Sequence, residues 1–274
     1  MEPATDPNNP AARKPAQWNR AKLDHVKCVI AVASGKGGVG KSSTTVNLAL
    51  ALAEAGVEVG ILDADIYGPS VPKMLGIKTH LQPSVLNGKL VPPRQRGIYL
   101  MSMALITGNR PALLRGPMIT KTLQQLLRGT LWGKDKPLDI LLVDMPPGTG
   151  DVHLSMAQQV PLDGALVVTT PQEVATADAE KATEMFIRLG VPIIGVIENM
   201  SYFTDPEGRR HHLFGEGGGA ALAARHKIDF LGELPLDPLI GECADRGENY
   251  LHRDGALAIK EYTALAKLLR AKCA

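Results

Sequence analysis

The stretch Cys28-Val29-Ile30-Ala31-Val32-Ala33-Ser34, then Gly35-Lys36-Gly37-Gly38-Val39-Gly40-Lys41-Ser42, then Ser43-Thr44-Thr45-Val46-Asn47-Leu48-Ala49-Leu50, sets three patterns end to end. An apolar run of strand length comes first, a glycine-rich loop follows, and a segment of helical period completes it. The loop fits G-x-x-x-x-G-K-[ST] and has the setting that pattern needs, after a strand and before a helix. Glycines let backbone N–H groups curl around phosphates, and the helix N-terminus adds partial positive charge. Lys41 is then placed to reach the β- and γ-phosphates, and Ser42 to offer its hydroxyl to Mg²⁺. Gly35, Lys36, Gly37, Gly38, Val39, Gly40, Lys41, Ser42 and Ser43 are accordingly expected to bind nucleotide.

Outward from this loop, short apolar runs alternate with helix-period segments, the pattern of a parallel sheet. Cys28 to Ala33, Val57 to Leu62, Tyr99 to Met103, Ile140 to Val143, Ala165 to Thr169, Ile193 to Ile197 and Phe230 to Leu234 read as strands. Helices are expected at Lys41 to Ala55, Met118 to Arg128, Val152 to Val160, Thr176 to Leu189, Gly218 to His226 and Ala256 to Ala271. The expected fold is α/β, a doubly wound, mostly parallel sheet of about seven or eight strands with helices on both faces. Asn87-Gly88, between Val85-Leu86 and Leu90-Val91, reads as a type I′ hairpin, an excursion from that sheet.

A nucleotide hydrolase must hold Mg²⁺ and orient a water, and carboxylates at the C-terminal ends of parallel strands serve both. Two such ends carry acids: Asp63 and Asp65 after Leu62, and Asp144 after Val143, with Pro146-Pro147-Gly148-Thr149-Gly150-Asp151 behind it. Asp144 is expected in the outer shell of the metal, and Asp65 beside the metal and the attacking water. Asp63 and Asp151 would shape two switch segments, although Asp63 equally reads as a strand cap. No N-K-x-D guanine reader occurs, so ATP is the expected nucleotide.

The chain has 30 basic and 28 acidic residues, so no overall field favours nucleic acid or an anionic membrane. No stretch approaches the roughly 20 apolar residues of a membrane span. Cys28, Cys243 and Cys273 lie far apart in sequence, which excludes a dense disulfide framework and suits a cytoplasmic protein. Residues 1–26, with Pro3, Pro7, Pro10 and Pro15, read as a flexible tail, and 27–274 as the ATPase domain. Arg13, Lys14, Arg20 and Lys22 leave organellar targeting open, while Glu2, Asp6 and Asp24 count against it.

Lys36 within the loop makes it resemble the deviant Walker A motif, KGGVGK[ST], of the ParA, MinD and nitrogenase-iron-protein superfamily. More narrowly, KGGVGKSSTTVN (36–47), LDADIYGPSVP (62–72), Arg115 to Met118, LLVDMPPGTGD (141–151), Thr170 to Glu173, Glu198 to Ser201 and Phe214 to Gly218 resemble the Mrp/NBP35 iron–sulfur cluster carrier ATPases. The resemblance implies a homodimer in which Lys36 reaches the nucleotide of the facing subunit as a catalytic residue beside Lys41 and Asp65; a solvated loop lysine is the alternative. It also implies that Asn199 contacts adenine, with Pro235 and Asp237 walling the same pocket, though an asparagine there equally caps a turn. Cofactors would be ATP and Mg²⁺, with an iron–sulfur cluster passed to apoprotein clients. Relatives usually carry C-x-x-C shortly after E-N-M-S, whereas here Asp205 and Gly208 take those two places, and neither offers a thiolate. No iron–sulfur ligand is therefore evident, and His211 and His212 read as solvated or as holding some other metal. Two further readings stay open: a cluster-free, nucleotide-switched scaffold, and a MinD- or ParA-like positioning ATPase whose C-terminal helix, with Lys260, Lys267, Arg270 and Lys272 beside Leu265, Leu268 and Leu269, lies on a membrane.

Overall fold

The structure, a computed structural model, describes residues 22–66, 68–77, 81–107, 116–148, 157 and 160–273. Most of the expected tail, Arg115, Thr149, Gly150, Asp151 and nearly all of the expected helix at 152–160 lie outside the described residues.

Uninterrupted apolar runs produce strands buried on both faces. β1 (Val26–Ala33) sends Cys28, Ile30 and Val32 into one apolar cluster and Val29, Ala31 and Ala33 into another. β2 (Val59–Asp63), β6 (Ile98–Ser102), β7 (Leu138–Asp144), β8 (Gly164–Thr169), β9 (Ile193–Glu198) and β12 (Phe230–Glu233) continue the same sheet. Its order is β12-β9-β8-β1-β7-β2-β6-β5, with β5 (Arg94–Gln95) the one antiparallel member, on an edge. Eight strands, seven of them parallel, agree with the doubly wound expectation.

On one face lie α1 (Lys41–Glu54), α2 (Val71–Met74), α7 (Pro238–Arg246) and α8 (Ile259–Lys272); on the other are α4 (Gly116–Arg128), α5 (Glu173–Arg188) and α6 (Gly218–His226). A short α3 (Met103–Thr107) follows β6. Asn87 and Gly88, with φ of 50° and 75°, turn β3 (Ser84–Leu86) into β4 (Lys89–Val91) as a type I′ hairpin requires. A second hairpin, β10 (Phe203–Thr204) with β11 (Arg210–His211), was not expected.

α8 does not leave its apolar side for a membrane surface. Tyr262, Leu265, Ala266 and Leu269 are buried in the cluster they share with α1. Burial of a large apolar side chain is worth about 1.5–3 kcal/mol, so this packing outweighs what the scattered lysines would gain at a lipid surface. Among the described residues no helix is long and apolar enough to cross a membrane.

The cysteines need a correction. Their distance in sequence hid a pairing in space: Cys28, early in β1, is disulfide-bonded to Cys273, just after α8, at a sequence separation of 245. Packing α8 across α1 brings the end of the chain back to the start of the sheet. Cys243 stays a free, buried thiol on α7, and burial raises its pKa.

Candidate functional site

β1 lies between β7 and β8, so the chain leaves it in opposite directions for its two halves. Ligand sites of open α/β sheets form outside the strand ends at such a point. The loop after β1 occupies it, and Gly40, in a left-handed conformation with φ 81°, starts α1. A Cβ on Gly40 would lie 2.2 Å from the side-chain nitrogen of Asn199, and one on Gly35 would lie 1.9 Å from the carbonyl carbon of Asp178 in α5. The two ends of the loop are thus held against the end of β9 and against α5 by approaches that only glycine permits.

Asp144 is the hub of the site. Its carboxylate is fully buried, and Ser42 Oγ donates to its Oδ2 at 2.7 Å, while Thr45 Oγ1 donates to its Oδ1 at 2.8 Å. Lys41 Nζ lies 2.8 Å from the same Oδ1 and 3.1 Å from Ser42 Oγ. Ser42 and Thr45 are three apart on α1 and so share a face. That spacing was the available sign of Thr45, which was not among the expected site residues. Hydroxyl and carboxylate oxygens at a helix N-terminus are hard donors of the type Mg²⁺ takes, and Ser42 with Asp144 would hold it.

Asp63 pairs in register with Asp144 across β2 and β7. Burial first, and the Asp144 carboxylate second, push the Asp63 carboxyl well above its usual range, against Lys41 and the Ser102 hydroxyl, which lower it. Ser102 Oγ donates to its Oδ2 and the Asp65 N–H to its Oδ1, so Asp63 acts as a brace between strand ends. Asp65 is half-buried, and its Oδ1 accepts the N–H of Gly68 at 3.1 Å. Among the described residues, no hydrogen bond or ion pair joins Asp65 to the Ser42–Asp144 cluster.

Lys36 is half-buried, and its amino group has no partner among the described residues; its carbonyl accepts the Ser34 hydroxyl at 2.9 Å. Pro147 lies beside Gly37, and the Gly148 N–H donates to Ser34 O at 3.3 Å, which sets the segment after Asp144 against the loop.

Two residues expected at the adenine pocket make hydrogen bonds within the protein. Asn199 Nδ2 donates to Val39 O at 2.9 Å, so its amide holds the phosphate loop. Asp237 is the N-cap of α7: its Oδ1 accepts the Leu239 N–H, and its Oδ2 the Tyr250 hydroxyl and the Leu257 N–H. Capping saturates that carboxylate inside the fold, whereas Pro235 is buried close by in sequence. Glu198 was missed altogether. It is buried at the end of β9, and its Oε2 accepts the Gly219 N–H at 2.5 Å, near the N-terminus of α6, while Oε1 has no partner among the described residues.

Where the C-x-x-C places fall, the structure has the β10–β11 turn. Asp205 Oδ1 accepts the Arg209 N–H, and Oδ2 lies 2.9 Å from Arg209 Nε and 2.7 Å from His211 Nε2. Gly208 sits in the turn at φ 82°. His211 is therefore paired with a carboxylate, not merely solvated, and among the described residues no group of three or more His, Cys, Asp or Glu side chains is arranged to hold a metal.

Residues 25–270 match the family model described as ParA: NUBPL iron-transfer P-loop NTPase. This chain belongs to that family. It is 50% identical over 236 residues to an iron–sulfur cluster carrier protein of Pseudomonas fragi, covering 85% of this chain and 81% of that one. It is 44% identical over 257 residues to a protein of the same name from Aquifex aeolicus, covering 92% and 70%. Among solved structures it resembles a nucleotide-binding protein of Archaeoglobus fulgidus in complex with ADP, at a TM-score of 0.73 and 39% identity over 83% of this chain and 89% of that one. The Asp205–Gly208 turn stands where the resemblance described above leads one to expect two cysteines.

Proposed function

We propose that this chain binds and hydrolyses ATP as a homodimer, and that its nucleotide cycle serves iron–sulfur cluster assembly or transfer to apoprotein clients in the cytoplasm. The observation that carries the reading is the Ser42–Asp144–Lys41 cluster at the mouth of a glycine loop, within a chain of the iron-transfer family. Bound Mg²⁺ would neutralise phosphate charge and orient the terminal phosphate. Ser42 and Asp144 position it, Lys41 leaves Asp144 for the phosphate oxygens, and backbone N–H groups from Gly37 to Lys41 stabilise the charge that develops in the transition state. Asp65 is assigned the attacking water, Lys36 the nucleotide of the facing subunit, and Asn199 with Pro235 the adenine side. The ATPase domain is assigned to 27–274 together with Val26, where β1 begins.

The cluster, the cargo here, requires thiolates, and the turn at Asp205 and Gly208 has none. That observation favours a second reading, a nucleotide-switched scaffold that contacts assembly proteins without carrying a cluster itself. Anaerobic reconstitution with iron and sulfide separates the two: a carrier gains charge-transfer absorbance and stoichiometric iron, and a scaffold gains neither. Calorimetry with Mg-ATP tests what both share, and an absence of binding heat by the intact chain refutes both.

A further inference from the structure

The two sulfurs of the Cys28–Cys273 disulfide have unlike surroundings. Cys28 is 6% exposed within the apolar cluster under α1. Cys273 is half-buried and lines a surface cavity of about 260 Å³ with Lys27, Val57, Asp139, Ile140 and Arg270. We propose that this disulfide is a thiol–disulfide exchange site for small anionic thiols of the glutathione class, entered at Cys273, with Cys28 as the resolving thiol.

Exchange proceeds by attack of a thiolate on one sulfur of a disulfide, and access decides which sulfur is attacked. A thiolate entering the cavity meets Cys273 Sγ. A bond forms between the two sulfurs, the bond to Cys28 breaks, and Cys28 leaves as a thiolate that takes up a proton. A second small thiol then attacks the mixed disulfide, releasing the small disulfide and the Cys273 thiolate. The sum is one protein disulfide and two small thiols giving two protein thiols and one small disulfide; in reverse, the small disulfide is the oxidant. The cavity carries two cations and one carboxylate. Asp139 holds Lys27 at 2.7 Å, while Arg270 donates to the Ala55 carbonyl at 3.4 Å and has no carboxylate partner among the described residues. An incoming thiol with carboxylates is therefore favoured over a cationic one. The size of the cavity sits near the lower end of small-molecule pockets, roughly 300 Å³.

The consequence reaches the phosphate loop indirectly. α8 buttresses α1, the helix that begins at the loop, and the disulfide pins the far end of α8 to β1. Exchange at Cys273 releases that pin without touching a nucleotide-binding residue.

The test uses the full purified chain, reduced and then equilibrated with graded ratios of glutathione disulfide to glutathione. Intact-mass analysis should show loss of two hydrogens, with only Cys243 open to alkylation in denaturant. Cys28→Ala should take up one glutathione at Cys273, and Cys273→Ala should react roughly tenfold more slowly, because its remaining partner is buried. Cystamine, a cationic disulfide, should oxidise the parent chain more slowly than glutathione disulfide does. Three free thiols at every ratio overturn the proposal, with no reliance on the variants; so do equal rates for the two variants, or faster reaction with cystamine. Mg-ATP binding measured alongside is independent of these results, so the nucleotide reading stands or falls separately.

Discussion

Lys41 Nζ rests 2.8 Å from Asp144 Oδ1, with the two side chains 6% and 0% exposed, so the lysine expected to meet phosphate is already held by a carboxylate of the neighbouring strand. A phosphate must compete for it. Nucleotide entry is thereby coupled to the strand end that also holds Ser42 and Thr45.

This pairing gives Lys41 a structural role besides binding. Removing one partner of a buried pair leaves an uncompensated charge, which typically costs about 3–5 kcal/mol. Lys41→Ala should therefore lower the urea midpoint of the nucleotide-free chain as well as abolish Mg-ATP binding in calorimetry. Lys36→Ala should leave that midpoint within error and spare binding more than turnover. An unchanged midpoint for Lys41→Ala would mean that Asp144 is satisfied some other way.

Two loop glycines should respond in opposite degree to the same substitution. Gly35→Ala forces a methyl to within 1.9 Å of α5 backbone, which cannot swing aside as a side chain would. Loop and helix must separate, and nucleotide binding should be lost. Gly38, at φ 81°, has no heavy atom within 4 Å of the place an added methyl would take, so Gly38→Ala should cost only the left-handed penalty of about 1–2 kcal/mol. Thermal melts with and without Mg-ATP distinguish them, and equal behaviour would refute the close approach to α5.

The sheet was legible because its central parallel strands, β1, β2, β6, β7 and β8, are buried on both faces and read as apolar runs, and the loop because a phosphate demands glycines, lysine and hydroxyl at fixed spacing. Asp144 could be placed because a carboxylate ending four apolar residues has few other uses. What stayed hidden depended on contacts remote in sequence. The Cys28–Cys273 bond has a sequence separation of 245, and Asp237 reads as a pocket residue until Tyr250 and Leu257 are seen to fill its acceptors. The β10–β11 turn was obscured for another reason: strands of two residues show no periodicity, and its order comes from the Asp205 carboxylate.

That carboxylate gives a pH dependence. The hydrogen bond from His211 is the largest influence, joined by Arg209, and it lowers the Asp205 pKa from 3.8 to about 2. A folded value below the unfolded one means the contribution to stability is complete above about pH 4 and is lost as pH falls towards 2. Carboxyl carbon NMR should follow Asp205 titrating near the lower value in the parent chain. Replacing His211 with Ala should move that titration upward, and a titration at the ordinary value in the parent would remove the pairing.

Tyr262 tests whether α8 supports the phosphate-loop helix through more than apolar contact. Its ring is buried, and burial, opposed by the nearby Asn47 and Thr44 side chains of α1, pushes its pKa up to about 12. Thr44 in turn donates to the carbonyl of Gly40 at 2.9 Å, so a single side chain separates Tyr262 from the loop. Tyr262→Phe keeps the ring and removes the hydroxyl from beside these buried polar side chains, at about 1–3 kcal/mol. If the contact also sets the start of α1, Mg-ATP affinity should fall with stability. Loss of stability with unchanged affinity would confine Tyr262 to packing.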